Sequence, residues 1–242
     1  MATILAAGGW GVLPAGPATA AGAVRPLIAV DVGHSLRRPG AISARGAVEF
    51  AFNQALARVI AQRLRHQGLR TVLIGDDGDL DRLTDRTAAA AAAGATFFLS
   101  VHHDSVQPKY LEPWRPDGVE RQYSDRFSGY SLFVSHANPR YTQSVGCAEA
   151  IGAAMLQAGF RPSLHHAEPI KGEDRPLVDA ERGVYAFDDL VVLKTARMPA
   201  MLLEAGIIVN RDDEVQLSEE HTRTRIADAV ADGLTDCLRL SE

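Results

Sequence analysis

The sequence predicts a single α/β domain, built on a mixed sheet of roughly six strands with helices on both faces. Two observations support this prediction. Short runs of branched apolar residues alternate along the chain with longer segments in which apolar residues recur at helical spacing. The 242 residues are enough for one sizeable core, and the chain contains neither an internal repeat nor a stretch of linker composition.

The first half of the folded chain is predicted to form three strands separated by two helices. The first strand is a short apolar run that ends at Gly33, which is typical of a buried strand. The first helix is indicated by apolar residues at helical spacing and by Gly68, which follows the pattern. The predicted elements are strands at 26–33, 70–75 and 95–101, and helices at 47–67 and 83–94.

The second half contains three further strands and two helices, interrupted by two irregular insertions. Strands are predicted at 130–136, 190–194 and 199–206, and helices at 141–158 and 219–239. The insertions, at about 106–128 and 161–188, are longer than ordinary connections. Long connections of this kind are usually either working loops or mobile ones, and the sequence leaves both interpretations open.

The composition excludes some classes of partner. Hydrophobic residues make up 46% of the chain and charged residues 23%, as in an ordinary globular protein. The formal net charge of -5 gives no basic footprint, so we expect no nucleic acid partner. Cys147 and Cys237 lack the spacing of a metal cluster, and the sequence leaves open whether they pair.

Residues 1–24 differ in composition from the rest of the chain. They carry no charged side chain, are rich in Ala and Gly, and end in small residues. This is typical of the apolar and cleavage regions of a secretory signal, although the usual basic start is missing. We therefore expect a signal-peptide remnant or a disordered leader before a domain at 25–242, and export to the periplasm or cell envelope. No other stretch approaches the length of a membrane span.

Four side chains suited to metal chemistry are predicted to meet at one edge of the sheet. In open α/β sheets the ligand site lies at the carboxyl ends of the strands. His34 follows the first strand, His102 ends the third and Glu204 ends the last, while Glu49 lies in the first turn of a helix. Two His and one carboxylate are a standard ligand set for catalytic zinc, so His34, Glu49 and His102 are candidate ligands of one Zn²⁺.

Glu204 is the candidate for proton transfer, because zinc-dependent hydrolysis needs a further carboxylate that takes a proton from water and returns it to the leaving group. Each candidate also has a structural explanation when taken alone. His34 could be a hydrogen-bonded residue at a strand end, Glu49 a partner of the helix dipole, and Glu204 a member of an ion pair. His102 and His103 point to opposite sides of a strand, so we expect only one of them to be a ligand.

The four candidates belong to a longer ordered pattern. Its opening part is Asp31-Val32-Gly33-His34, then Pro39-Gly40-Ala41, Gly46, Glu49 and Asn53. Further along follow Leu83-Thr84-Asp85-Arg86, the strand end FLSVHHDS, and Pro199, Leu202, Glu204 and Asn210. From about Pro26 to Leu240 the chain therefore resembles the zinc-dependent N-acetylmuramoyl-L-alanine amidases of the type-3 class.

The resemblance implies a phosphorylase/hydrolase-like fold and hydrolysis of the amide between the lactyl group of N-acetylmuramic acid and L-Ala of the peptidoglycan stem peptide. It assigns the zinc to His34, Glu49 and His102, not to His103, and the catalytic role to Glu204. Gly33 is expected to turn the chain sharply after the first strand. Peptidoglycan is the implied partner, together with an activator protein of the cell-division machinery, and cell separation is the implied process.

Further residues are candidates for supporting or gating roles. Asn53 and Arg86 are expected to support the ligands or the substrate, as are Asp104, which stands where the resemblance has Asn, and His166. The second insertion holds several residues that could reach an open metal position, namely His165, His166, Glu168, Glu173 and Asp174. Of these, Glu168 and Glu173 are the candidates for a gate in which segment 161–188 covers the zinc.

Other functions fit the same residues. A zinc peptidase acting on the stem peptide would use the same metal and the same carboxylate, and only its product would differ. A non-catalytic cell-wall binding or activator protein could keep the fold, although the presence of all four site residues argues against it. An intracellular hydrolase of another N-acyl amino acid would require that residues 1–24 are not an export signal.

Overall fold

The computed structural model describes residues 25–240, so the predicted leader at 1–24 lies outside the described residues. The strands are β1 Leu27–Val32, β2 Arg70–Ile74, β3 Phe97–Asp104, β4 Glu112–Trp114, β5 Arg121–Tyr123, β6 Ser131–Val134, β7 Leu177–Asp179, β8 Val184–Ala186 and β9 Ala200–Ile207. The helices are α1 Glu49–His66, α2 Leu83–Ala92, α3 Tyr141–Gln157, α4 Val191–Thr195, α5 Arg211–Ser218 and α6 Glu220–Leu240.

Seven of these strands form one mixed sheet in the order β2-β1-β3-β9-β6-β8-β7. The first four in this order run parallel to one another, whereas β6 is antiparallel to β9 and β7 is antiparallel to β8. The remaining two strands, β4 and β5, form a separate antiparallel pair within the first insertion. The predicted fold class is confirmed, with seven strands in place of roughly six.

Helices cover both faces of the sheet, as predicted. On one face α1, α3 and α6 pack together, and their buried residues include Leu56, Ile151 and Val230. On the other face α2 and α4 cover a smaller apolar layer that contains Ala90 and Leu193. The central strands are buried from both sides, so their carboxyl ends form a rigid platform for a site.

A disulfide joins the two helices that lie on the larger face. Cys147 in α3 and Cys237 in α6 are bonded, with their Cα atoms 5.0 Å apart and a sequence separation of 90. The pairing that the sequence left open is therefore present. Such a long closed loop restricts the unfolded chain strongly, which favours the folded state.

The structure corrects the sequence prediction in the second half of the chain. The predicted strand at 190–194 is helix α4, in which Val192 and Leu193 are buried while Lys194 is exposed. An apolar run this short does not distinguish a strand from a buried helical turn. The insertion at 161–188 contains β7 and β8, which extend the sheet, and α5 precedes the predicted last helix. None of the helices within 25–240 combines the length and the apolar character that a membrane crossing requires.

Candidate active site

The candidate site lies where three adjacent parallel strands end. β1, β3 and β9 place their carboxyl ends at one edge of the sheet, and His102 of β3 is the direct register partner of Glu204 of β9. Register partners on parallel strands point to the same face, so these two side chains share a face. His34 lies two residues beyond β1, and Glu49 is the first residue of α1. The structure therefore brings the four candidates together as predicted.

Glu49 bridges the two imidazoles. Its Oε2 lies 2.9 Å from Nε2 of His34, and its Oε1 lies 3.1 Å from Nδ1 of His102. One ligand atom from each of the three residues lies within 4.8 Å of the others. Neighbouring ligand atoms around a tetrahedral zinc are about 3.3 Å apart, given bonds of about 2.0–2.1 Å. The three side chains thus fit a zinc ion in both donor type and spacing.

The backbone around the ligands is shaped by two glycines. The expectation that Gly33 makes the turn after β1 is wrong, because the left-handed residue is His34 itself, with φ of 68°. Gly33 is required for space, since a Cβ there would lie 2.3 Å from Nε2 of His102. Gly40 has φ of 81°, and a Cβ there would lie 2.3 Å from Oε2 of Glu49. Both positions therefore exclude side chains in order to admit the ligands.

Glu49 is held as an anion by its surroundings. The backbone N–H of Ala41 donates to its Oε2 at 3.0 Å, and Nδ2 of Asn53 donates to its Oε1 at 3.0 Å. Burial opposes ionisation, but the hydrogen bonds from His102 and His34 outweigh it and hold the pKa of Glu49 well below its usual range. An ionised carboxylate is the form that a metal ligand requires.

His103 lies on the other side of β3 from His102. It is buried against Phe52, with ring centres 5.5 Å apart, and its Nδ1 is 2.8 Å from Oδ1 of Asn53. Burial lowers the pKa of His103 to about 3, so its ring is neutral at physiological pH. Asn53, which is itself fully buried, links His103 to Glu49 and so fixes the orientation of the Glu49 carboxylate.

Arg86 supports the turn that carries His34. Its guanidinium forms an ion pair with Asp31 at 2.7 Å, donates to the carbonyl of Val32 at 2.5 Å, and also donates to the carbonyl of His34. Ser100 donates to the second oxygen of Asp31 at 2.7 Å. The side chains of Arg86 and Asp31 are 2% and 1% exposed, so this buried ion pair fixes the backbone that carries His34.

Glu204 differs electrostatically from Glu49. Its Oε2 is buried and has no hydrogen-bond partner among residues 25–240. Burial raises the pKa of Glu204 well above its usual value, and the negative charges of Asp104 and Glu49 raise it further. A carboxyl group with a raised pKa can hold a proton near neutral pH, which suits a group that both accepts and returns a proton.

Three further candidates, Asp104, His166 and Glu173, form a second group at the end of β3. Oδ2 of Asp104 is 2.8 Å from Nε2 of His166, and Nδ1 of His166 is 2.8 Å from Oε2 of Glu173. Burial alone would lower the pKa of His166, but its hydrogen bonds with Asp104 and Glu173 raise it to about 9. The structure adds His165, whose Nε2 is 3.3 Å from the same oxygen of Asp104.

The two carboxylates proposed as a gate have other contacts in the structure. Glu173 binds His166 and also accepts a hydrogen bond from Gln107 at 2.7 Å. Glu168 accepts a hydrogen bond from the hydroxyl of Tyr110 at 2.9 Å and lies 3.5 Å from Arg126. Gating of the metal by these residues stays a prediction. Their observed contacts join the second insertion to the first.

A cavity of about 240 Å³ opens beside the ligands. Its walls include His34 and His102, together with Arg38 and the apolar side chains of Leu83 and Val191. Helix α4, which the sequence predicted as a strand, therefore forms part of this wall. A concave apolar surface with a few convergent polar groups is the usual form of a small-molecule site.

Two imidazoles, a bridging carboxylate and a second carboxyl group with a raised pKa, presented together at one edge of an α/β sheet, are typical of metal-dependent hydrolases. Comparison with known proteins gives the family. The family model for N-acetylmuramoyl-L-alanine amidase matches residues 28–236. The chain therefore belongs to the N-acetylmuramoyl-L-alanine amidase family, and the predicted enzyme class is confirmed.

Individual relatives agree in sequence and in fold. The N-acetylmuramoyl-L-alanine amidase AmiA of Salmonella typhimurium is 25% identical over 219 residues, which cover 86% of this chain and 74% of AmiA. The amidase AmiC2 of Nostoc punctiforme superposes with a TM-score of 0.67 at 22% identity, covering 90% and 99% of the two chains. The CwlD amidase of Clostridioides difficile, solved in complex with the GerS lipoprotein, superposes with a TM-score of 0.67 at 18% identity. The match covers 89% of this chain and 100% of the CwlD chain.

Proposed function

We propose that this amidase uses one Zn²⁺ to hydrolyse the amide between the lactyl group of N-acetylmuramic acid and L-Ala of the peptidoglycan stem peptide. Family membership supports the reaction class. The observation that carries the mechanism is the pairing of two unlike carboxylates, because Glu49 is held ionised between His34 and His102 while Glu204 has a raised pKa. One carboxylate thus suits a ligand and the other suits proton transfer.

His34, Glu49 and His102 would hold the zinc, with Nε2 of His34 and Nδ1 of His102 as the nitrogen donors that face Glu49. When bound, zinc polarises a carbonyl and makes water more acidic. Asn53 and the N–H of Ala41 fix the carboxylate of Glu49, and Arg86 fixes the backbone of His34. These contacts hold the ligands in place before the metal binds, which favours its affinity.

Glu204 accepts a proton from the attacking water and returns it to the amide nitrogen as the carbon–nitrogen bond breaks. The products are the lactyl carboxylate and a peptide with a free L-Ala amino group. Because Oε2 of Glu204 has no partner among the described residues, this oxygen is available for the proton. The cavity beside His34 and His102 is the place where we expect the substrate next to the scissile amide to bind.

The cellular setting follows from the same proposal. Peptidoglycan lies outside the cytoplasmic membrane, so we propose export, and the relative AmiA is an N-acetylmuramoyl-L-alanine amidase by name. The Cys147–Cys237 disulfide supports export, because disulfides persist mainly in oxidising compartments. We further propose that residues 1–24 act as an export leader, that 25–242 form the catalytic domain, and that an activator protein engages the insertions at 106–128 and 161–188.

Product analysis tests the proposed reaction. Zinc-loaded enzyme would be incubated with a purified muropeptide, and the products would be identified by mass spectrometry. We expect the intact sugar and the complete stem peptide beginning with L-Ala, and we expect Glu204→Gln to release neither. Glu219→Gln, an exposed Glu next to α6, is the control and should match the wild type. Cleavage inside the stem peptide would instead identify a peptidase.

A further inference from the structure

Asp104, His165, His166 and Glu173 form a compact group, called here the second cluster, in which Asp104 of β3 meets three residues of the segment 161–188. Asp104 ends β3, whereas the two His lie in a short 3-10 turn at His165–Ala167. The Nε2 atoms of His166 and His165 lie 2.8 and 3.3 Å from one oxygen of Asp104. Two imidazole nitrogens and a carboxylate oxygen thus converge on one point.

The remaining ring nitrogens of both His are already occupied. Nδ1 of His165 is 2.9 Å from Oγ of Ser163, and Nδ1 of His166 is 2.8 Å from Oε2 of Glu173. Glu173 is itself fixed by a hydrogen bond from Gln107. An oxygen partner on one ring nitrogen, with the other nitrogen facing the ion, is the usual arrangement of a metal-binding His.

The hydrogen bonds within the second cluster do not satisfy all of its polar atoms. Nε2 of His165 is buried without a hydrogen-bond partner among residues 25–240, and the residue is 3% exposed. If Nδ1 donates its proton to Ser163, the lone pair on Nε2 faces the anionic oxygen of Asp104. That contact is repulsive, and a cation placed among the three atoms would make it attractive.

Charge and geometry agree on the class of ion. Asp104 and Glu173 carry two formal negative charges, of which a protonated His166 offsets one. A divalent cation would displace the proton from Nε2 of His166 and offset both charges. The 3.3 Å between Nε2 of His165 and Oδ2 of Asp104 matches the spacing of about 3.3 Å expected between ligands of a tetrahedral zinc. The 2.8 Å between Nε2 of His166 and the same oxygen is a hydrogen bond that the ion would replace. Imidazole donors favour zinc and related transition metals over Mg²⁺ and Ca²⁺, which prefer oxygen ligands.

We propose that Asp104, His165 and His166 form a second binding site for a divalent cation of the zinc class, distinct from the site at His34, Glu49 and His102. Asp104 follows His102 by two residues on β3, so the two sites would lie roughly 6–7 Å apart along the strand. The ion would tie the insertion at 161–188 to the strand that carries His102. This inference does not depend on the proposed reaction.

Metal counting on the full-length, untagged chain tests the second site. The stripped protein would be dialysed against Zn²⁺ with a weak chelator, and zinc per chain would be measured by elemental analysis. We expect about two equivalents for the wild type and about one for His34→Ala/His102→Ala. We also expect about one for His165→Ala/His166→Ala, and none when all four substitutions are combined.

His136→Ala is the matched control, because His136 also pairs with a carboxylate, Asp188, but is exposed and belongs to neither group. It should retain about two equivalents. Circular dichroism would verify that each variant is folded. A second measurement needs no change in the second cluster: Co²⁺ added to His34→Ala/His102→Ala should give the visible absorption of a tetrahedral nitrogen–oxygen site. One equivalent of zinc per wild-type chain, or no visible Co²⁺ band in His34→Ala/His102→Ala, would show that the second cluster is only a hydrogen-bonded network and would overturn the proposal.

Discussion

Substitution of Gly40 by Ala separates the geometry of the zinc site from the stability of the fold. A Cβ at position 40 would lie 2.3 Å from Oε2 of Glu49 and 2.7 Å from Cδ2 of His34. Ordinary contact begins near 3.4 Å, so the carboxylate must move by about 1 Å. We expect zinc affinity to fall by about 10–100-fold, the range found when the support of a metal ligand is lost.

The same substitution also strains the backbone, and a control is needed to separate the two effects. Gly40 has φ of 81°, a left-handed conformation in which a residue with a Cβ lowers the free energy of unfolding by about 1–2 kcal/mol. Gly94 has φ of 74°, and a Cβ there would meet nothing within 4 Å. Gly94→Ala should therefore lose a similar free energy of unfolding and keep its zinc affinity.

Zinc affinity would be measured by competition with a chromogenic chelator, and the free energy of unfolding of the metal-free proteins by urea titration. Equal zinc affinity in Gly40→Ala and Gly94→Ala would refute the reasoning, because it would mean that the carboxylate of Glu49 can move without affecting the metal. A loss of affinity in both variants would assign the effect to backbone strain.

Three further predictions concern stability. Replacing Cys147 and Cys237 by Ser should lower the free energy of unfolding by about 3–5 kcal/mol, measured in urea, and a change below 1 kcal/mol would contradict the chain-entropy argument. Arg86→Ala removes the ion-pair partner of the buried Asp31 and should lower the free energy of unfolding by about 3–5 kcal/mol. Arg63→Ala breaks an exposed pair with Asp228 and should lower it by about 1 kcal/mol or less. Because the pKa of Glu204 is raised in the folded state, the protonated form favours folding, and that stability is lost as pH rises from the usual value of 4.5 towards the folded pKa. Glu204→Gln should therefore stabilise the metal-free protein by about 1–3 kcal/mol at pH 7 but little at pH 4, and an equal effect at both pH values would argue against the raised pKa.

The candidate site could be predicted because the ends of strands can be recognised from the local sequence. Apolar runs mark the strands, and the polar residues that follow them, His34, His102 and Glu204, must meet at one edge of a parallel sheet. The choice of His102 over His103 needed the resemblance, since alternation along a strand says only that the two rings face opposite ways. The structure then places His102 beside Glu49.

The features that the sequence missed depend on contacts between distant segments. The run at 190–194 is apolar enough for a strand, but it forms helix α4, which packs against α2 and β9. The strands β7 and β8 have three residues each, so they exist only as additions to the edge beside β6. The space requirement at Gly33 is hidden in the same way, because the ring of His102 that excludes a Cβ comes from another strand.

The second cluster shows the same limit for function. His165 and His166 are visible in the sequence as a pair in an irregular segment, and Asp104 as a residue at a strand end. Their meeting requires the course of the chain between them, which includes the first insertion, β6 and α3. A sequence can supply the residue types of such a cluster, but the fold decides which of them converge.

Zinc content and the rate of stem-peptide release, measured on the same preparations of wild type, Glu204→Ala and His102→Ala, test the central claim most directly. The structure separates a residue that would hold the metal from a residue that would move the proton. We expect Glu204→Ala to keep the zinc of the wild type and to lose at least about 100-fold in rate. His102→Ala should lose both zinc at this site and activity. Substantial activity in Glu204→Ala, or full zinc affinity in His102→Ala at the first site, would contradict the assignment of these two roles.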